Sequence, residues 1–411
     1  MLSFLGSKSA FACSLALVSG LAVSCWPTSS AKAQIPEHAK PLPIELYGNH
    51  ILVRVSVNRC QNLGFILDTG ASAPFLNRRR ISECDLGTGE SHSRGGVGTG
   101  ERSVQLSKAK GVSLKLDSVD LSGEDAFVLP LDDLERVLGR QIDGILGPQI
   151  FEKHIVEIDY EQRTLRLNDV KSFSYTGPGQ NLPIQIRNHR PFLVAKLEVA
   201  GHAPQEGVFV IDIGDNSALS LHTQFVSKHK LLPSEQDAIP NVTLGLAGGS
   251  RELIGRAQNL QIGNFVIPRP ITAFSQATKG SAADGSYDGA IGGEILRRFK
   301  LIFDYSRRQL IMEPNIRVAE PFEADMSGLS LAAQGDGFQT IRCKSVDAKS
   351  PASEAGFLEG DIIQSVDGEL AVGSLLPRIR ELFREEGKTY TVRVQRDGKA
   401  MQLLITMRRR I

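Results

Sequence analysis

The chain has 411 residues and a formal net charge of +1, from 47 Lys and Arg against 46 Asp and Glu. A length of this order holds about two to three domains. The interspersed charges exclude nucleic acid and an anionic surface as partners, since the runs Arg78-Arg79-Arg80 and Arg408-Arg409-Arg410 are short enough to be a solvated turn and tail. The 40 glycines suit a mainly β protein rich in hairpins. No helical heptad, Cys-x-x-Cys pair or His-Glu-x-x-His pattern occurs, and no metal or other cofactor is expected.

Residues 1–33 read as a signal peptide. Lys8 precedes an apolar run from Ala10 to Trp26, and Ala31-Lys32-Ala33 offers a small-x-small cleavage site before Gln34. Ser14, Ser19, Gly20 and Ser24 interrupt the run, which falls short of the roughly 20 continuous apolar residues that a membrane span requires. The expectation is an exported protein, periplasmic or secreted, with no transmembrane span. Leu21-Ala22-Val23-Ser24-Cys25 gives a weaker lipoprotein alternative. Removing the signal leaves Cys60, Cys84 and Cys343. A Cys60–Cys84 disulfide is permitted in an oxidising compartment, but the sequence does not decide between it and free thiols.

Residues 40–172 and 181–316 read as two copies of one β-rich lobe. Phe65-Ile66-Leu67-Asp68-Thr69-Gly70 and Phe209-Val210-Ile211-Asp212-Ile213-Gly214 each run an apolar strand into an Asp-x-Gly turn. Three landmarks recur in order: Asp68 and Asp212, Gly147 and Gly292, Asp159 and Asp304, at intervals of 144, 145 and 145 positions. Leu42-Pro43-Ile44 is echoed by Leu182-Pro183-Ile184. Two copies at such a period mean tandem domains, because solenoid repeats are far shorter. A buried Asp is costly unless partners hold it, so one at the same place in each copy predicts that the two meet at a pseudo-two-fold axis.

Strand, Asp-Thr-Gly-Ala-Ser, glycine-rich hairpin and apolar-apolar-Gly, in that order, resemble the aspartic peptidases, in particular the retropepsin-like ones. Here both lobes lie in one chain, as in pepsin, over roughly residues 40–316. The resemblance implies a catalytic dyad of Asp68 and Asp212 acting on a peptide or protein substrate. Gly70 and Gly214 would permit the tight turns that aim N–H groups at the carboxylates. Thr69 would hydrogen-bond across the axis. The second copy departs from the pattern: Ile213 has no hydroxyl to answer Thr69, and Asp215 stands where the first copy has Ala71. Asp215 would raise the dyad's pKa, donate as a protonated neighbour, or point to solvent or an arginine. Gly98-Thr99-Gly100 and Ala247-Gly248-Gly249 are placed as the tips of two flaps, with ordinary glycine-rich loops as the alternative.

Residues 326–411 resemble a PDZ domain. Ser350-Pro351-Ala352, Ala355-Gly356, Gly360-Asp361-Ile362-Ile363 and Asp367-Gly368 carry that resemblance. Pro351 is expected in the first turn of a short helix that Gly356 ends, with a second helix around 375–386 and a hairpin turned at Asp397-Gly398. Gly328-Leu329-Ser330-Leu331 is placed as the loop that grips a peptide C-terminus while the next strand pairs with it. Ser330 stands where a Gly is usual, and a PDZ that merely packs on the protease stays open. The stretch from Glu313 to Glu323 is expected to tether this module. The reading is an exported aspartic endopeptidase with PDZ-assisted recognition of C-termini; the alternative is a catalytically weakened protease fold that binds peptides through its cleft and PDZ.

Overall fold

In the computed structural model, which describes residues 40–94, 98, 100–122, 125–234 and 236–411, the apolar run before each Asp-x-Gly turn is an interior strand. Cys60–Leu67 lies antiparallel to His50–Val57 and parallel to Gly144–Leu146. It is buried without a break from Leu63 to Leu67, which explains an apolar run in place of the alternation of a half-exposed strand. Asp68 continues the pairing by donating its N–H to Leu146 O at 2.9 Å. In the second copy Gln205–Asp212 lies between Arg190–Glu198 and Gly289–Gly292, with Asp212 opposite Gly292. Both aspartates therefore stand at the ends of buried strands, each braced by the strand of its own apolar-apolar-Gly turn. The expected signal segment and Thr99 lie outside the described residues.

The protein is mainly β, with two pseudo-symmetric lobes. Each lobe is a ten-stranded sheet, and the two follow one strand order, from Gly87–Arg94 to Val119–Asp120 and from Ile239–Gly245 to Phe265–Pro268. A six-stranded sheet joins them, three strands from each copy. At its centre Ile155–Asp159 runs antiparallel to Phe299–Asp304, pairing Val156 with Phe303 and Ile158 with Leu301. The largest apolar cluster also crosses the lobes, taking in Leu67, Phe151, Ile211, Ile213, Phe299 and Phe303. Phe151 packs edge-on to Phe303 at 5.3 Å and stacks on Tyr305 at 5.6 Å. Cys60 and Cys84 form a disulfide, with Cα atoms 5.2 Å apart, and Cys343 is buried and free.

The C-terminal region has its own sheet, in the order Leu329–Gln334, Thr340–Val346, Ile362–Val366, Thr389–Arg396, Lys399–Thr406, and its own apolar cluster. Ser350 and Ser353 form a reciprocal capping box on helix Pro351–Glu354, with Pro351 in the first turn. The second helix is Leu376–Leu382, shorter than the sequence suggests, because tight turns follow it at Arg384 and Glu385. The connector that follows the second lobe is pinned to the body of the protein. Arg298 is fully buried; its guanidinium donates to the connector carbonyls of Arg317 at 3.0 Å and of Glu320, and lies 3.7 Å over the Phe322 ring. The described residues belong to one compact unit. Among the described residues no helix is long and apolar enough to cross a membrane.

Candidate active site

The two Asp-x-Gly turns face one another. A Cβ placed on Gly70 would lie 2.2 Å from Asp212 Oδ2, and one on Gly214 would lie 2.3 Å from Asp68 Cγ. Neither glycine has a positive φ. What demands glycine here is the close approach of the opposite carboxyl, rather than the left-handed backbone that a tight turn brings to mind. Each carboxyl is fixed by its own turn. Asp68 Oδ1 accepts from the amides of Gly70 at 2.7 Å and Ala71 at 3.1 Å. Asp212 Oδ1 accepts from Gly214 at 2.9 Å and Asp215 at 3.1 Å. The two carboxyls are in hydrogen-bond contact.

Burial pushes both carboxyls above the usual carboxylate range. For Asp68 the rise is held back by the hydrogen bond with Asp212 and by the Gly70 and Ala71 amides. Asp212 rises well above it, because the charges of Asp68 and Asp215 add to burial. Two such groups share one proton and titrate as a pair.

Asp215 is half-buried and turned toward two serines rather than an arginine. Its carboxylate accepts from Ser217 N at 2.8 Å, Ser217 Oγ at 2.9 Å and Ser220 Oγ at 3.5 Å. Burial raises its pKa, and these bonds from Ser217 and Ser220 oppose the rise. A third carboxyl is thus held in place behind the dyad.

Thr69 bridges the lobes. Its Oγ1 donates to Ile211 O at 2.6 Å and accepts from Ile213 N at 3.1 Å, so both partners are backbone groups of the second lobe. Ile213 puts its side chain into the inter-lobe core instead. His50, which no sequence signal marks, lies from the first lobe against the Gly214 backbone. Burial, and then the charge of Arg380, hold its imidazole down to about 4. Asn49 Nδ2 adds bonds to Asn216 O at 2.7 Å and to Glu294 Oε2 at 2.6 Å. These contacts join positions far apart in sequence and have no local signature.

The two glycine-rich segments meet. Ile239–Gly245 and Gly248–Arg256 form a hairpin whose last pair is Gly245 and Gly248, with Gly248 at φ +84°. Ala247 O accepts from Arg102 N at 2.9 Å, and Gly249 O from Glu101 N at 3.3 Å. Gly98 O accepts from Ser281 Oγ at 2.8 Å. A Cβ on Gly100 would lie 2.2 Å from the Ala247 carbonyl carbon, a close approach that excludes a side chain. Ala247 is buried in the cluster that holds Ala71 and Phe75, so the second tip reaches across to the first Asp-x-Gly turn. Among the described residues no cluster of His, Cys, Asp or Glu is arranged to hold a metal ion.

Residues 53–150 match the aspartyl protease family, and residues 326–407 match the PDZ domain. The chain carries an aspartyl-protease-like domain and a PDZ domain. Among solved structures it is similar to an aspartic proteinase from Irpex lacteus, with a TM-score of 0.43 and 13% identity over 69% of this chain and 99% of that one. No curated protein matches it significantly.

In the PDZ domain Gly328 has φ +77° and leads into the terminal strand Leu329–Gln334. Ser330 is exposed and Leu331 buried. The Leu329 amide donates to Ser327 Oγ at 3.0 Å, and Asp325 accepts from Ser327 N at 2.8 Å. The domain packs directly on the first protease lobe. Tyr47 OH donates to Leu138 O at 2.7 Å and lies 3.3 Å from Gly373 O. Arg380 Nη1 donates to Val137 O at 2.9 Å, and Arg384 Nη1 lies 3.4 Å from Glu294 Oε2.

Proposed function

We propose that this chain is an aspartic-type endopeptidase. The observation that carries the reading is the meeting of two buried carboxyls, one from each lobe, in hydrogen-bond contact and each anchored by two amides of its own turn. A pair with one shared proton offers a base and an acid at one point. The ionised member of the pair takes a proton from a water as its oxygen attacks the peptide carbonyl carbon. The protonated member hydrogen-bonds the carbonyl oxygen and stabilises the negative charge that develops there. Transfer of a proton to the amide nitrogen then lets the C–N bond break, giving a carboxylic acid and an amine. Thr69, Gly70 and Gly214 hold this geometry, Asp215 raises both carboxyls, and the segments around Gly98-Thr99-Gly100 and Ala247-Gly248-Gly249 act as flaps over the cleft.

The PDZ domain is assigned to peptide C-termini, gripped by Gly328-Leu329-Ser330-Leu331 while the substrate pairs with the terminal strand. Export to the periplasm or medium agrees with the Cys60–Cys84 disulfide. Ile213 and Asp215 favour the second reading, a weakened protease fold that only binds peptides. Contact between the dyad carboxyls supports the enzyme over it. The deciding experiment is hydrolysis of a mixed peptide library at several pH values by wild type, Asp68→Asn and Asp212→Asn. Cleavage that only the wild type performs supports the enzyme, and binding without cleavage by all three supports the second reading.

A further inference from the structure

A peptide that adds to a PDZ sheet needs the free backbone edge of the terminal strand and the groove beside the neighbouring helix. Here both are covered from within the chain. Leu329–Gln334 is paired on one side only, yet Leu331, Ala332 and Ala333 are buried. What packs on them is helix Asp132–Leu138 of the first protease lobe. Arg380, on the PDZ helix, donates to Leu331 O at 2.8 Å and to Val137 O at 2.9 Å, so one guanidinium closes strand, groove and lobe together. Gly139, which ends the lobe helix at φ +76°, meets Gly373 backbone to backbone; a Cβ on it would lie 2.1 Å from Gly373 O. The Leu329 amide, which a terminal carboxylate would need, is taken by Ser327 Oγ.

The same lobe helix reaches the flaps. It packs on strand Ile239–Gly245 of the second flap hairpin. Asp133 accepts from Arg102, the residue whose own amide bonds Ala247 at the flap tip. That ion pair is exposed and contributes little by itself; the packed face of the helix is what positions the strand. The lobe–PDZ contact is incomplete. A cleft of about 590 Å³, lined by Arg79, Glu135, Arg136, Gln334 and Asp336, lies open beside it.

We propose that helix Asp132–Leu138 is a latch: it occupies the PDZ peptide edge in the free protein, and a peptide C-terminus that claims this edge parts the PDZ from the lobe and loosens the flaps. This rests on the reading of the PDZ as a binder of peptide C-termini. Peptide and helix compete for one surface, so apparent affinity is lowered by the fraction of molecules that are closed. Weakening the latch must raise it.

The test uses the full chain, as wild type and as Tyr47→Phe/Arg380→Ala, with a library of peptides bearing free apolar C-termini and the same library amidated. Hydrogen exchange follows residues 329–334 and the flap 239–256, and fluorescence anisotropy follows binding. We expect faster exchange of both segments in the variant, about tenfold tighter binding of the free-acid peptides, and faster flap exchange in wild type when those peptides are added. Tyr47→Phe alone, which alters only the lobe side of the contact, should move each readout in the same direction. Unchanged exchange of 329–334 in the variants overturns the latch, whatever binds. An edge that opens but binds no free-acid peptide in any form removes the PDZ reading, and the latch with it. Binding that leaves the flap unchanged overturns the link between the two sites.

Discussion

The turns Asp68-Thr69-Gly70-Ala71 and Asp212-Ile213-Gly214-Asp215 share a backbone and differ in every side chain that supports the dyad. Both carboxyls take two amide bonds from their own turn, and both glycines make room for the opposite carboxyl. In the first lobe the intervening residue spans the axis by a hydroxyl; in the second it fills the core. After the glycine the first lobe has a buried methyl and the second a half-buried carboxylate. The lesson is that geometry at the axis is kept by backbone and glycine, while the supporting side chains differ: Thr69 bonds across the lobes, and Asp215 adds a charge that raises both carboxyls.

The largest effect should come from breaking the feature that the lobes share. Asp68→Asn and Asp212→Asn should each reduce peptide hydrolysis by at least about 10³-fold with an unchanged circular dichroism spectrum. Near wild-type activity in Asp212→Asn would mean that the second lobe takes no part in the chemistry. Next comes a feature of the first lobe alone. Cys60→Ser/Cys84→Ser opens a loop with a sequence separation of 24 and should cost about 3 kcal/mol, read by urea denaturation under non-reducing conditions. A loss well below that would show that the first lobe does not depend on its disulfide.

Thr69→Val strands a buried acceptor, Ile211 O, and a buried donor, Ile213 N, and should cost about 2 kcal/mol. Ile213→Val removes one methylene from the core and should cost only about 1 kcal/mol. Equal losses would deny that the clamp is one-sided.

The smallest effect sharpens the asymmetry through pH. Asp215→Asn removes a charge that raises Asp212, so the alkaline limb of the pH–rate profile should move to lower pH. The stability sign follows from the same shift. A carboxyl raised in the folded state binds more protons there than when unfolded, so folding weakens as pH climbs from the ordinary carboxylate range toward the raised value. Asp215→Asn should therefore gain roughly 1 kcal/mol against wild type at pH 7 and little at pH 4, measured by thermal melts at both. An unchanged pH profile would show that Asp215 does not act on the dyad.

Much of the fold was legible because its cues are local. An apolar run ending in Asp-x-Gly is a buried strand meeting a turn, and its recurrence at nearly one interval implied the lobe pair, though not the pairing of Ile155–Asp159 with Phe299–Asp304. Pro351, Gly356 and Asp397-Gly398 marked the PDZ turns, with φ of +85° at Gly356 and +49° and +77° at the hairpin. The anchoring of the connector from Glu313 to Glu323 had no local cue in the sequence. Only in the fold does Arg298 enter the interior and gather the connector carbonyls.

The sequence by itself determined the mainly β class, the duplication and the placing of one aspartate at the same point in each copy, since these depend on periodicity and turn chemistry within a few residues. The tertiary structure alone decided that Thr69 bonds the backbone at Ile211 and Ile213, that Asp215 is held by Ser217 and Ser220, that His50 reaches Gly214, and that helix Asp132–Leu138 lies on the PDZ edge. Most of these join segments tens to hundreds of residues apart. Their partners are largely backbone groups, which every residue carries, so no side-chain pattern could announce them.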